Sequence, residues 1–215
     1  MANPWLDIPL ADYEGHMEYV GQARMLDRVF RQALQAVRPQ SVAVLGAAGG
    51  NGFEHLVASG VTRTVALDLN PSYLQELERR FRNRVPGLEI LCGDLDDAAI
   101  DIDPVDLIHA ALVFEYVEIG PALHRSRTWL RPDGTLWVIL QLPGPDESRV
   151  TPSPFGSLAK LDGSMKLHEA DRFREAAAIA GLAEISGEVL ALPGGKRFFS
   201  ACYRAAAFGR SGQKV

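Results

Sequence analysis

Two sets of residues in this chain have the types and spacing to do chemistry. The first begins where the apolar run Val42-Ala43-Val44-Leu45 ends in Gly46-Ala47-Ala48-Gly49-Gly50-Asn51-Gly52, and it continues where the next apolar run, Val65-Ala66-Leu67, ends in Asp68. Glycines after a strand let the backbone come close to a nucleotide-shaped ligand. A carboxylate at the end of the following strand accepts hydrogen bonds from the two ribose hydroxyls. The second set can take or hold a proton: Tyr13, His16, His109, Glu115 and His168. His109 ends a strand-like run on the same edge as the glycines, where an imidazole serves as a general base or is simply a satisfied core side chain.

The surrounding elements must position these groups. Between Arg24 and Val37 the apolar residues Leu26, Val29, Phe30, Ala33, Leu34 and Val37 recur at helical spacing, and Pro39 ends the helix. Strands are then expected at 41–45, 61–67, 88–92, 105–110 and 136–140, with helices at 52–59, 71–84 and 121–130. This alternation predicts a parallel sheet with helices on both faces, whose ligands sit outside the carboxyl ends of the strands. The glycine loop, Asp68, Asp94 and the segment 109–111 all fall at such ends. Residues 142–166 are rich in proline, glycine and serine and are expected to form a long lid or binding loop. A helix over 167–180 follows, then strands over 183–190 and 197–204 joined by Leu192-Pro193-Gly194-Gly195-Lys196, a turn that suits an antiparallel hairpin. The expected organisation is one domain over 1–215. It comprises an N-terminal arm or lid (1–24), a core (25–205) carrying the 142–166 insertion, and a tail (206–215).

Composition bounds the partners. A chain that is 47% hydrophobic and 23% charged can bury a full core. A net charge of −5 without a basic stripe argues against a nucleic-acid backbone as ligand. No apolar run reaches the ~18 residues of a membrane span. The N-terminal residues lack the charged and apolar segments of a signal peptide, so a cytoplasmic location is expected. Cys92 and Cys202 lie in apolar runs and are expected as buried, reduced thiols. No histidine–carboxylate set has metal spacing, so no metal is expected.

The glycines at 46, 49 and 52 satisfy a dinucleotide spacing and resemble the loop of malate and lactate dehydrogenases. The same segment resembles the first motif of class I S-adenosylmethionine-dependent methyltransferases, where the strand ends in an acid and alternating glycines follow. Gly50 and Gly52 match the second and third glycines, Ala48 stands for the first, and Gly46 replaces the acid. Three downstream segments resemble the methyltransferases further: the strand and turn from Val105 through Glu115-Tyr116-Val117, the turn Leu130-Arg131-Pro132-Asp133-Gly134, and Cys92-Gly93-Asp94. A malate-type dehydrogenase needs a second catalytic domain, and too few residues follow Leu140 to build it. The resemblance runs from about Val42 to Tyr203.

It implies a Rossmann-like three-layer α/β/α sandwich with a mostly parallel seven-stranded sheet and an antiparallel C-terminal hairpin. It also implies S-adenosyl-L-methionine as cofactor. Gly46, Ala47, Gly50 and Gly52 would pass the methionine moiety and adenosine. Asp68 and Leu69 would hold the ribose, Asp94 the adenine amine, and Leu95 the ring, with Ala110 at the end of the fourth strand. Glycine at position 46 cannot hold the cofactor's amino group, so a substitute is sought among Asp12, Tyr13, Glu14, His16 and Gln22. Aligning a sulfonium methyl and excluding water is worth roughly 7–11 kcal/mol. An oxygen acceptor also needs a base, for which His16, Tyr13 and His109 are the candidates. The turn His109-Ala110-Ala111-Leu112 is not the Asn/Asp-Pro-Pro-Tyr/Phe turn of enzymes that methylate adenine or glutamine. A small-molecule acceptor, received between the arm and 142–166 by a monomer or homodimer, is therefore expected. The alternatives are a cofactor-binding protein without methyl transfer and a nicotinamide enzyme.

Overall fold

Strand β1 (Ser41–Leu45) is buried along its whole length, and its side chains alternate between two apolar layers. Ala43 and Leu45 join a core with Val65 and Leu67 of β2 (Arg63–Asp68) and Ile108 and Ala110 of β4 (Val105–Ala111), roofed by α5 (Ile119–Thr128) and α6 (Ala170–Ile179). Val42 and Val44 join the opposite core with Leu107, under α2 (Gln22–Val37) and α4 (Pro71–Phe81). A strand with both faces covered reads as a continuous apolar run because neither face meets water. This gives three layers, as expected. The computed structural model describes residues 3–144 and 149–205; the tail expected at 206–215 lies outside them, as do Asp146 and Glu147.

The sheet has seven strands in the order β3-β2-β1-β4-β5-β7-β6, with β3 at Leu88–Cys92, β5 at Leu130–Gln141, β6 at Leu182–Ala191 and β7 at Arg197–Ala205. The first five strands are mutually parallel, and β7 runs antiparallel to both β5 and β6. Strand order reverses between β1 and β4, which places the ligand crevice at their carboxyl ends.

Several local expectations change. The helix expected at 52–59 shrinks to α3 (Glu54–Val57), because Gly52 adopts φ +80° and cannot start a right-handed turn. The Arg131–Gly134 turn is not a separate connection. It bulges out within β5, between the Val105–Leu130 and Leu107–Thr135 pairings. Cys92, expected buried, is exposed because it ends an edge strand, whereas Cys202 is buried. His168, inside the helix expected over 167–180, lies before α6 with its Nε2 buried. The arm is largely helical: a 3-10 turn at Pro4–Asp7 leads into α1 (Leu10–Tyr19).

The arm packs on the 149–165 segment. Ile8, Leu158 and Leu161 form a small core with Trp5, Tyr13, Tyr116, Val150 and Phe155 against it. The Phe155 ring sits so close to Gly15 that a Cβ there would lie 2.3 Å from it. The Ser157 hydroxyl donates to Asp12 at 2.6 Å. Arm and loop thus form one cover over the carboxyl ends of the strands. Among the described residues no helix is long and apolar enough to cross a membrane.

Candidate active site

The glycine loop leaves β1 with Gly46 at φ +69°, Ala48 at +43° and Gly50 at +87°. Gly46 and Ala47 both donate N–H to the Leu67 carbonyl, which ties the loop to the end of β2. Ala48 carries a Cβ in the left-handed region, at a cost of about 1–2 kcal/mol. Its N–H donates to Asp68 Oδ2 at 2.8 Å, which holds it there. The other Asp68 oxygen accepts from the Asn70 N–H at 2.9 Å. Burial pushes the Asp68 carboxyl up, and the Asn70 and Ala48 N–H groups pull it back in part. Asn70 in turn caps α4, accepting from the Ser72 N–H at 3.0 Å, and donates its amide to the Trp5 carbonyl at 2.9 Å.

Three adjoining cavities lie along this edge. The first, about 80 Å³, is lined by Asp68, Leu69, Asp94, Leu95, Gly46 and Ala48, with Trp5, Tyr13 and Tyr116 over them. Trp5 meets Tyr13 and Tyr116 edge-on at 5.5 and 5.1 Å between centroids, so these rings occupy much of the volume. The second, about 550 Å³, lies between the loop, α1 and α2, and includes Glu14, Phe30, Arg80 and His109. The third, about 50 Å³, lies between α1 and the 149–165 segment, and includes His16, Gln22, Gln141 and Arg149. Tyr13 lines all three.

The titratable groups separate by environment. His16 is buried, its Nδ1 is 2.8 Å from Ser153 Oγ, and burial lowers its pKa. His109 stacks on Phe30 at 4.5 Å, and burial depresses it to about 3, so the ring is neutral. Burial pushes the Tyr13 phenol far up, so it stays protonated. Glu115 is fully buried. Its Oε1 accepts from the Gln141 N–H at 2.6 Å, its Oε2 has no partner among the described residues, and burial raises it to about 7.

Most of the sequence-chosen residues converge on this edge, but not all face it. Asp94 lines the first cavity, while its neighbours are engaged elsewhere: Asp96 accepts from the Glu118 N–H and Asp97 from the Ala99 N–H. Ala110 points into the α5/α6 core, and the cavity walls are Ala111 and Leu112, because successive strand residues face opposite ways. Leu112, at φ +57°, is held by its N–H to the Ile139 carbonyl and lines the first and third cavities. A Cβ on Gly50 would meet Phe81 at 2.6 Å and one on Gly52 would meet Phe30 at 3.0 Å. These glycines make room for the core, and Gly50 and Gly52 line the second cavity only. His109 likewise opens onto the second cavity, away from His16. Position-by-position reading missed the Glu14–Arg80 pair over the loop: no spacing signal joins residues 66 apart.

Fold and site define an α/β protein with a glycine loop after β1 and carboxylates at the ends of β2 and β3. Residues 43–138 match the sequence profile of a methyltransferase domain. That matched segment is similar to a methyltransferase domain, and S-adenosylmethionine is the cofactor this likeness leads one to expect. The fold is shared with the N-methyltransferase NodS of Bradyrhizobium japonicum, solved with S-adenosylhomocysteine (17% identity, 86% of this chain and 87% of that one, TM-score 0.65). It is also shared with an S-adenosylmethionine-dependent methyltransferase from Mesorhizobium loti (17%, 80% and 96%, 0.65) and with the CcbJ methyltransferase of Streptomyces caelestis (14%, 84% and 90%, 0.63). No curated protein matches the chain.

Proposed function

We propose that this chain binds S-adenosylmethionine in the first cavity and methylates a small-molecule acceptor held between α1 and the 149–165 segment. The observation that carries the cofactor assignment is the pairing of chemistry with position. Asp68 presents a buried carboxylate where a ribose diol needs an acceptor, and Asp94 presents an exposed one where an exocyclic amine needs the same. Two carboxylates also suit a ligand that carries a sulfonium cation. Leu69 and Leu95 supply the apolar walls and Gly46 and Ala48 the close backbone, while Ala47, expected beside them, lines the second cavity only.

The chemistry fits, but the free volume does not in this closed form. Small-molecule sites span roughly 300–1,000 Å³, and 80 Å³ remain beneath the rings. We propose that Trp5 and its 3-10 turn swing out for cofactor loading, which breaks the Asn70–Trp5 hydrogen bond. Closure then returns the rings over the ligand and excludes water.

The bound cofactor supplies an activated methyl group. The protein supplies alignment and a proton acceptor. Of the three candidate bases, His16 is best placed. It is neutral, lines the acceptor cavity, and is oriented by Ser153 from the covering loop. With Nδ1–H donating to Ser153, the Nε2 lone pair is free to take a proton from an acceptor hydroxyl or amine. Tyr13 borders cofactor and acceptor cavities alike and orients both ligands. His109 is a packing residue of the second cavity. We further propose a cytoplasmic protein acting as a monomer or homodimer.

Calorimetric titration with S-adenosylhomocysteine and, in parallel, NADH tests the reading. Micromolar binding of the nucleoside alone supports it and licenses an acceptor screen by S-adenosylhomocysteine release. Binding of NADH alone overturns it.

A further inference from the structure

S-adenosylmethionine ends in an α-amino acid, a zwitterion whose ammonium needs an anionic partner. Gly46, at the end of β1, offers no side chain for it. We infer that Glu14 of the arm, held over the glycine loop by Arg80, receives this ammonium, and that the amino-acid end of the cofactor extends from the first cavity into the second. The inference rests on the cofactor assignment above and deepens it.

Four observations carry it. The two cavities share Tyr13, Gly46, Ala48 and Ala111, so a ligand anchored at Asp68 and Asp94 has an open continuation past the loop. Glu14 follows Tyr13 directly and lines that continuation with Arg80, the one lysine or arginine in its lining among the described residues. The pair is built against the loop backbone: a Cβ on Gly49 would lie 2.3 Å from Glu14 Oε1 and 2.8 Å from Arg80 Nη1. Finally, donors and acceptors balance. Arg80 Nη1 bonds Glu14 Oε1 at 2.5 Å and the Gly49 carbonyl at 3.1 Å, Nη2 bonds Glu14 Oε2 at 3.1 Å, and Nε bonds Glu76 at 2.8 Å. Arg79 pairs with Glu76 as well, at 2.6 Å, so the two guanidiniums and two carboxylates balance and the zwitterionic end of the ligand meets a neutral cluster with matching donors and acceptors. Each Glu14 oxygen has a second lone pair for an ammonium N–H, and Arg80 has one Nη2–H left for the adjoining ligand carboxylate.

The other acids of this cavity face cations other than Arg80. Asp27 pairs with His55 at 2.9 Å, and Glu18 pairs with Arg24 at 3.1 Å on the outer rim. Glu54 lies 4.0 Å from Arg84. Glu14 also joins the arm to the ligand, so a filled amino-acid subsite would hold the cover closed.

The test compares S-adenosylhomocysteine with 5′-methylthioadenosine, which lacks the amino-acid end, on wild type and Glu14→Gln by calorimetry. Losing a charge-assisted contact should weaken S-adenosylhomocysteine by about ten-fold to a hundred-fold and leave 5′-methylthioadenosine within about two-fold. An unchanged S-adenosylhomocysteine affinity overturns the inference. So does an equal loss for both ligands, which would mark Glu14 as a purely structural clasp of the arm. Wild type binding both nucleosides with equal affinity overturns the inference and leaves the cofactor assignment standing. Wild type binding neither overturns the cofactor assignment and the inference with it.

Discussion

Replacing Glu115 with glutamine should stabilise the protein above neutral pH and change little in acid. The Glu115 carboxyl is fully buried and titrates near 7, against 4.5 for an exposed glutamate. Well below pH 4.5 the group is neutral in folded and unfolded chains alike, and burial costs it no charge. As pH rises towards 7 the unfolded chain releases this proton first while the folded state retains it, so folding stability falls. Above pH 7 the full penalty is present, about 3 kcal/mol. Glu115→Gln keeps an oxygen for the Gln141 N–H and removes the titration. The new amide lies where Oε2 has no partner among the described residues, which adds an offset that is the same at every pH. The measurement is the variant-minus-wild-type stability by calorimetric melting at pH 5 and pH 8.5. The difference cancels the histidines that titrate in the same range. The gap between the two pH values should favour the variant at high pH by about 2.5 kcal/mol, or roughly 5–10 °C in a chain of this size. An offset that does not vary with pH would refute the reasoning and show that Glu115 does not carry its burial penalty in the folded state.

Three further outcomes follow from the site. Asp68→Asn should weaken S-adenosylhomocysteine by about 1.5–3 kcal/mol per charge-assisted bond lost, read by calorimetry; an unchanged Kd would remove Asp68 from the ribose. Gly46→Ala combines a positive φ with a Cβ 2.4 Å from Val113, so it should lower stability by at least about 1–2 kcal/mol, measured by urea unfolding. Asn70→Ala removes the α4 cap and the tether to Trp5 together. It should cost about 1 kcal/mol of stability and speed cofactor association, followed by tryptophan fluorescence in stopped flow; a slower association would contradict the opening of the arm.

The fold was legible in the sequence because its signals are local. Apolar runs of about five residues with glycine or acid at their ends give buried parallel strands, helical spacing gives Leu26–Val37, and turn residues before Arg197 give the hairpin. The same grammar put Asp68, Asp94 and the glycine loop at strand carboxyl ends, which is where they lie. Tertiary structure alone decided which face each side chain took. Ala110 and His109 are neighbours in β4, yet one enters the α5/α6 core and the other stacks on Phe30 of α2. Sequence marked the arm as chemically rich but did not show that it is a helix clasped to α4 by Glu14–Arg80 and to the covering loop by His16–Ser153. Those partners lie 66 and 137 residues apart and meet only through the way α1 crosses the sheet edge. The burial of Glu115 has the same origin. Its carboxyl is closed in by Gln141 at the end of β5, and its carbonyl by the Lys166 N–H beyond the loop. Local pattern sets what a residue can do; long-range packing sets its solvent, its neighbours and so its charge.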